Sequence, residues 1–148
     1  MSDTFYRALE ERFRAPVEEI RRRLAVYRPF LHALRSQNPH AKAFDIGCGR
    51  GEWLRVVQEE GIEAQGVDLD DEMLRACHES GLQARNQDAL AALRELADES
   101  LDLVSAFHVV EHLEFDYLRE LIDEVRRVLV PGGLLIMETP NSENLLVG

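Results

Sequence analysis

"FDIGCGRGEWL" runs from Phe44 to Leu54 and sets three glycines, Gly47, Gly49 and Gly51, directly behind the apolar run "AFDI" with its aspartate. Glycine belongs where a chain turns sharply or lays bare backbone against a ligand. The continuation "GEWLRVVQEEG" then has the apolar spacing of a helix. Strand, glycine turn and helix follow in that order. The dinucleotide fingerprint G-x-G-x-x-G fails on spacing, because the sixth position is Glu52 when counted from Gly47 and Leu54 when counted from Gly49. A glutamate at the helix start also opposes a pyrophosphate and suits a cation or a ligand without phosphate.

The same rhythm extends outward. "IEAQGVDL" precedes "DEMLRACHESG", "LQARN" precedes "ALAALRELA", "LDLVSAF" precedes "EFDYLRELIDEVRRVL", and "GLLIMET" closes the series. Alternation of this kind builds a mostly parallel sheet with helices on both faces, since right-handed crossovers lay each helix on the sheet. Gly61 and Gly81 stand where helices should end. Before the glycine turn, Phe5, Leu9, Phe13, Val17, Ile20, Leu24, Tyr27 and Leu31 recur at helical spacing, interrupted by Pro16 and Pro29. A short helix ending near Ala15, a second from Pro16, and an irregular "SQNPHAK" are predicted. Residues 1–42 thus form an N-terminal helical segment and residues 43–148 an α/β core.

A chain of 148 residues has room for one core, and 45% apolar with 30% charged residues is ordinary for a globular protein. No apolar run approaches the ~20 residues of a membrane span, and the N-terminus lacks an apolar signal centre. With only Cys48 and Cys77 present, reduced thiols and a cytoplasmic location are expected. Residues 1–42 carry net +4 and the remainder net −15. An acidic body of that size repels phosphate backbones, so a nucleic-acid partner is not expected.

Asp68 ends the second strand in "GVDLD", 21 residues beyond Gly47, where a carboxylate can accept from both hydroxyls of a ribose. Asp88 in "NQDAL" follows the third strand, where it can accept from a base's exocyclic amine or cap the next helix. Glycine turn and two acids in register point to a nucleoside.

These segments resemble the class I S-adenosylmethionine-dependent methyltransferases. "FDIGCGRG", "GVDLD", "NQDAL", "LDLVSAFHVVEHL" and "VLVPGGLLIMETPN" are similar to successive motifs of that family across residues 43–141. Within it, "GRGEWL", "FHVVEHL" and "ETPNSENLLVG" most resemble domains tied to bacterial O-antigen polysaccharide termination. The resemblance implies a Rossmann-like sheet of order 3-2-1-4-5 and S-adenosylmethionine as cofactor. It implies that Gly47, Cys48 and Gly49 hold the methionine part, that Asp45 reaches its ammonium through water or directly, that Asp68 binds the ribose, and that Leu69 is among the cofactor contacts. Asp88 and the Ala89 amide would meet the adenine, with Phe107 completing the set.

"FHVVEHL", Phe107 to Leu113, also matches the zinc-protease pattern H-x-x-E-H, which needs His108 and His112 on one helix face. The apolar, strand-forming "LDLVSAF" argues instead for a buried strand with His108 at its carboxyl end. Related quinone-pathway O-methyltransferases carry an acidic-x-x-Glu-His arrangement linked to a divalent metal; His108 stands where the first acid would, and no metal ligands are assigned. Strands one and four would flank the crevice, so the glycine turn faces this stretch. For a hydroxyl acceptor, His112 is the first candidate base and His108 the second, with Glu111 orienting either. Trp53 and Leu54 read as core, with a substrate platform as the alternative, Cys77 reads as core, and Cys48 as a backbone contributor. Tyr6 and the first helices form a lid or simply pack.

The expected function is methyl transfer to a small-molecule or saccharide acceptor, with a non-catalytic cofactor-binding or scaffold module as the alternative. Family members add an antiparallel hairpin after the fifth strand, whereas this sequence stops at Gly148. A shortened polypeptide, a further C-terminal domain, or a homodimer covering the edge would account for that.

Overall fold

Lys42–Ile46 (β1) is buried on both faces from Ala43 onward, and it takes the centre of the sheet. In the computed structural model, which describes residues 17–139, its parallel neighbours are Glu63–Asp68 (β2) on one side and Leu101–Phe107 (β4) on the other. Ala84–Asn86 (β3) and Leu129–Glu138 (β5) flank these, giving the order β3-β2-β1-β4-β5 with every pair parallel. This is the topology implied by the family resemblance. The chain leaves β1 in one direction and returns beyond it at β4, so a crevice opens outside the carboxyl ends of these two strands.

Side chains alternate across the sheet with the period of two that a strand imposes. Phe44, Ile46, Val104 and Ala106 face Ala89–Arg94 (α5) and Phe115–Val128 (α6), packing on Leu90, Leu93, Leu121 and Val125. Ala43 and Leu103 face the opposite way, onto Val17–Leu24 (α1), Arg28–Gln37 (α2) and Glu52–Glu59 (α3). Asp71–Glu79 (α4) closes that side, setting Leu74 and Cys77 on Leu54 of α3. Each fully buried Leu or Val contributes about 1.5–3 kcal/mol relative to exposure.

Helix ends follow local chemistry. Asp70 caps α4 by accepting from Glu72 and Met73 N–H groups, and Gly61 and Gly81 turn out of α3 and α4 at φ +83° and +75°. Two boundaries differ from expectation. Pro29 sits in the first turn of α2, where its missing N–H is harmless, and a 3-10 turn at Ala25–Tyr27 redirects the chain before it. The helix then absorbs Ser36 and Gln37. In addition, β5 starts straight out of α6: its ladder with β4 jumps from Leu101↔Leu129 to Leu103↔Leu134, bulging around Pro131 and Gly132. The first predicted helix and Tyr6 lie outside the described residues.

The described N-terminal helices pack against α3. Arg21 and Arg28 both reach Glu59, and Arg28 and His32 reach Glu60. Among the described residues, no helix is long and apolar enough to cross a membrane.

Candidate active site

The glycine turn leaves β1 with three left-handed residues, Gly47, Gly49 and Gly51, at φ +67°, +57° and +89°. Side chains would strain each of them. The turn is held from several sides. Cys48 N–H donates to the Val67 carbonyl at 2.9 Å, Gly49 N–H donates to Asp68 Oδ2 at 2.8 Å, and the Cys77 thiol donates to the Gly49 carbonyl at 3.1 Å. Asp68 Oδ1 accepts the Asp70 N–H at 2.9 Å, which fixes the carboxylate at the end of β2. Contact with Cys77, together with burial, pushes the Cys48 thiol up, so it stays protonated and only its backbone faces the turn.

Asp45 lies beneath the turn, buried on the α3 side of the sheet. Its Oδ1 accepts from Ser105 Oγ at 2.8 Å, and Ser105 Oγ accepts from Trp53 Nε1–H at 2.9 Å. Among the described residues, Oδ2 has no hydrogen-bond partner. Burial pushes this carboxyl up to about 8 against the opposing Ser105 hydrogen bond, with Asp68, Cys77 and Glu52 adding to the rise. A buried carboxyl with one free oxygen under bare backbone suits an incoming ammonium.

Beside the turn opens a crevice of about 430 Å³, within the range of small-molecule sites. Ile46, Gly47, Asp68, Leu69, Asp88, Ala89 and His112 all line it. Asp88 does two jobs here: Oδ2 caps α5 through the Ala91 N–H at 3.0 Å, while Oδ1 accepts from the Tyr117 hydroxyl at 2.8 Å. Tyr117 is itself raised, first by burial and then by Asp88.

The histidines separate. β4 runs through Phe107, and His108 follows in a left-handed conformation at φ +59°. His108 N–H donates to the Glu138 carbonyl at 2.6 Å, and its ring nitrogen stands 3.6 Å from the Glu138 carboxylate. His112 sits in a 3-10 turn, Val110–His112, with Nε2 3.5 Å from Glu111, and lines the crevice. The two therefore share no α-helical turn, as a zinc protease would require. Among the described residues no three His, Cys, Asp or Glu side chains converge as a metal site. Phe107 points away from the crevice lining, into an aromatic group with Trp53 and Tyr27 at centroid distances of 5.0 and 5.7 Å. Tyr27 bonds Glu138 and is pushed up to about 12, by burial first and by that carboxylate second.

Residues 44–137 match the family described as methyltransferase domain. The chain belongs to this family. Over 105 residues, this methyltransferase domain is 30% identical to ubiquinone biosynthesis O-methyltransferase of Methylococcus capsulatus, covering 68% of this chain and 44% of that protein. It is 31% identical over 105 residues to human probable tRNA methyltransferase 9B, covering 70% and 22%. Its fold superposes on a SAM-dependent methyltransferase from Archaeoglobus fulgidus with a TM-score of 0.81 and 36% identity, covering 93% of this chain and 59% of the other. The methyltransferase domain thus spans less than half the length of these two curated relatives.

Ser105, Tyr117 and Glu138 bond to Asp45, Asp88 and the His108 N–H respectively without having been singled out from the sequence. For Ser105 one signal exists, a lone hydroxyl inside an apolar strand; for the others none does.

The glycines give a sharp contrast within the methyltransferase turn. A Cβ on Gly51 would meet Leu82 Cδ1 at 2.4 Å and Cys77 Sγ at 3.0 Å, whereas one on Gly49 would meet nothing within 4 Å. Gly51→Ala is expected to lose about 2–4 kcal/mol through strain and overpacking. Gly49→Ala should lose only about 1–2 kcal/mol of left-handed strain, yet bind S-adenosylhomocysteine at least tenfold more weakly. Urea unfolding and titration calorimetry on both variants check this, and unchanged affinity in Gly49→Ala contradicts it.

Proposed function

We propose that this domain transfers a methyl group from S-adenosylmethionine to a hydroxyl of a small-molecule or saccharide acceptor. The observation that carries the reading is the convergence of Gly47 from the glycine turn, Asp68, Asp88 and His112 on one crevice, with Asp45 buried beside it beneath the turn. The chain's groups suit the cofactor one by one. The free, buried Oδ2 of Asp45 fits its ammonium. The open face of Gly49 admits the methionine backbone, alongside Gly47 and Cys48. Asp68 has lone pairs left for ribose hydroxyls, because a carboxylate offers about four acceptor sites and two are used by backbone N–H groups. Leu69, 68% exposed, and Ala89 offer apolar surface for the adenine beside Asp88.

When bound, the cofactor supplies an electrophilic methyl group on a sulfonium. The protein's part is to hold donor and acceptor in line and keep water out, which is where most of the acceleration of such a transfer arises. His112, at the crevice wall, takes the acceptor's proton; Glu111, 3.5 Å away, orients the ring. His108, turned to Glu138, is the second candidate. Hydroxyl methylation is supported by the ubiquinone O-methyltransferase relative. A body of net −15 disfavours nucleic acid as acceptor. Two buried free thiols suit the reducing cytoplasm.

Donor consumption with sugar, phosphosugar, quinone and small-acid acceptors tests the reading. At least one should give an O-methyl product. His112→Ala is then expected to cut turnover by about 10²–10⁴ while S-adenosylhomocysteine affinity stays within about threefold. Unchanged turnover removes His112 from the reaction.

A further inference from the structure

Asp45 and Ser105 are register partners in the β1–β4 ladder, so their side chains leave the same face of the sheet side by side. Across the other ladder Asp45 faces Gly66, which has no side chain to offer. Among the described residues, the only hydrogen bond to the carboxyl is the one from Ser105, and the serine is in turn held by Trp53. All three are buried: 3% of Asp45, 1% of Ser105 and 4% of Trp53 remain exposed.

Donor direction in this chain is fixed by chemistry. An indole N–H can only donate, so it occupies a lone pair of Ser105 Oγ, and with the carboxylate ionised to meet an ammonium the serine hydroxyl donates to Asp45 Oδ1. Oδ1 is thereby tied down, and Oδ2 is presented at a fixed rotation of the carboxyl. Resting on the cofactor reading above, we propose that Ser105 and Trp53 are positioning residues that aim Asp45 Oδ2 at the cofactor's α-amine, and so set the preference for amine-bearing adenosyl thioethers.

A purely structural relay makes a different prediction. If Ser105 and Trp53 only fill the core, removing the hydroxyl leaves a buried indole N–H unsatisfied, lowers stability, and weakens every ligand of the crevice alike. If they aim Asp45, the loss falls on the amine alone.

The experiment compares two probes by titration calorimetry: S-adenosylhomocysteine and its deaminated analogue, identical but for hydrogen in place of the α-amine. Wild type should prefer the amine-bearing probe. Ser105→Ala should reduce that preference at least tenfold while affinity for the deaminated analogue stays within about threefold. Trp53→Phe, which keeps the ring and loses the N–H, should reduce it about threefold, and Ser105→Thr should restore it. Trp53 is the chain's single tryptophan. Its indole N–H resonance is therefore expected to shift with S-adenosylhomocysteine and to stay with the deaminated analogue. Should Ser105→Ala fail to fold, Trp53→Phe and the resonance carry the test. A preference left intact in the variants, or an equal weakening of both probes, overturns the positioning role. Wild type that takes up neither probe overturns the cofactor reading itself.

Discussion

Asp45→Asn is expected to bind S-adenosylhomocysteine at least a hundredfold more weakly at pH 8, while its stability no longer falls as pH rises from 4 to 8. The binding loss follows from removing one partner of a buried charged pair, which costs about 3–5 kcal/mol because the other charge is left without compensation. The stability effect follows from burial. The carboxyl titrates at about 8 against an ordinary 3.8, desolvation being the main cause. Between those values the native state keeps a proton that the unfolded chain has released, so wild-type stability drops as pH climbs through the window. The slope from this group approaches about 1.4 kcal/mol per pH unit and vanishes above pH 8. Asparagine has no proton to lose. Urea unfolding of both proteins at pH 5, 6.5 and 8 should therefore show the variant gaining on the wild type by a few kcal/mol across the range. Parallel curves would mean that Asp45 titrates normally. Ligand binding below pH 8 should also release a proton, visible as a calorimetric heat that changes with buffer.

Asp68→Ala carries the second large effect, again at least a hundredfold in affinity, with a stability loss of about 1–3 kcal/mol. This carboxylate accepts two backbone N–H groups, those of Gly49 and Asp70, and so shapes the turn as well as facing the crevice. Hydrogen bonds to a charged acceptor contribute about 1.5–3 kcal/mol each, and two ribose hydroxyls would be lost together. Asp68→Asn keeps one acceptor oxygen and should fall between, about tenfold weaker than wild type. Calorimetry with S-adenosylhomocysteine, paired with thermal melts, separates the two contributions. A variant that loses stability yet binds normally would leave Asp68 with a structural role alone.

Much of this was legible because the informative residues sit at fixed offsets along the chain. Gly47, Asp68 and Asp88 mark successive strand ends, and counting from the glycine turn placed both acids on the crevice that the structure shows. The strand order was implied by family resemblance, while the βα alternation came from apolar spacing alone. What stayed hidden depends on register. Ser105 reads as one polar residue in "LDLVSAF"; only the pairing Asp45↔Ser105, made 60 residues apart, turns it into a carboxylate partner. Tyr117 reads as an amphipathic helix position, and its hydroxyl acquires meaning only when α6 lies against Asp88. The histidines were ambiguous for a related reason. Four-residue spacing allows a helical pair, but β4 holds extended geometry through Phe107 and the left-handed turn at His108 sends the two rings apart. Phe107, expected at the cofactor, spends its ring on Trp53 and Tyr27, a contact that needs the N-terminal helices in place.

The central claim is that the turn at Gly47–Gly51, Asp45 and Asp68 together hold an adenosyl sulfonium. Titration calorimetry of S-adenosylmethionine into wild type and Asp68→Ala at pH 8 tests it most directly. One saturable site per chain in the wild type, displaced by S-adenosylhomocysteine and lost in the variant, is the predicted result. Folded wild-type protein that takes up no ligand, or a variant that binds as tightly as the wild type, would contradict it.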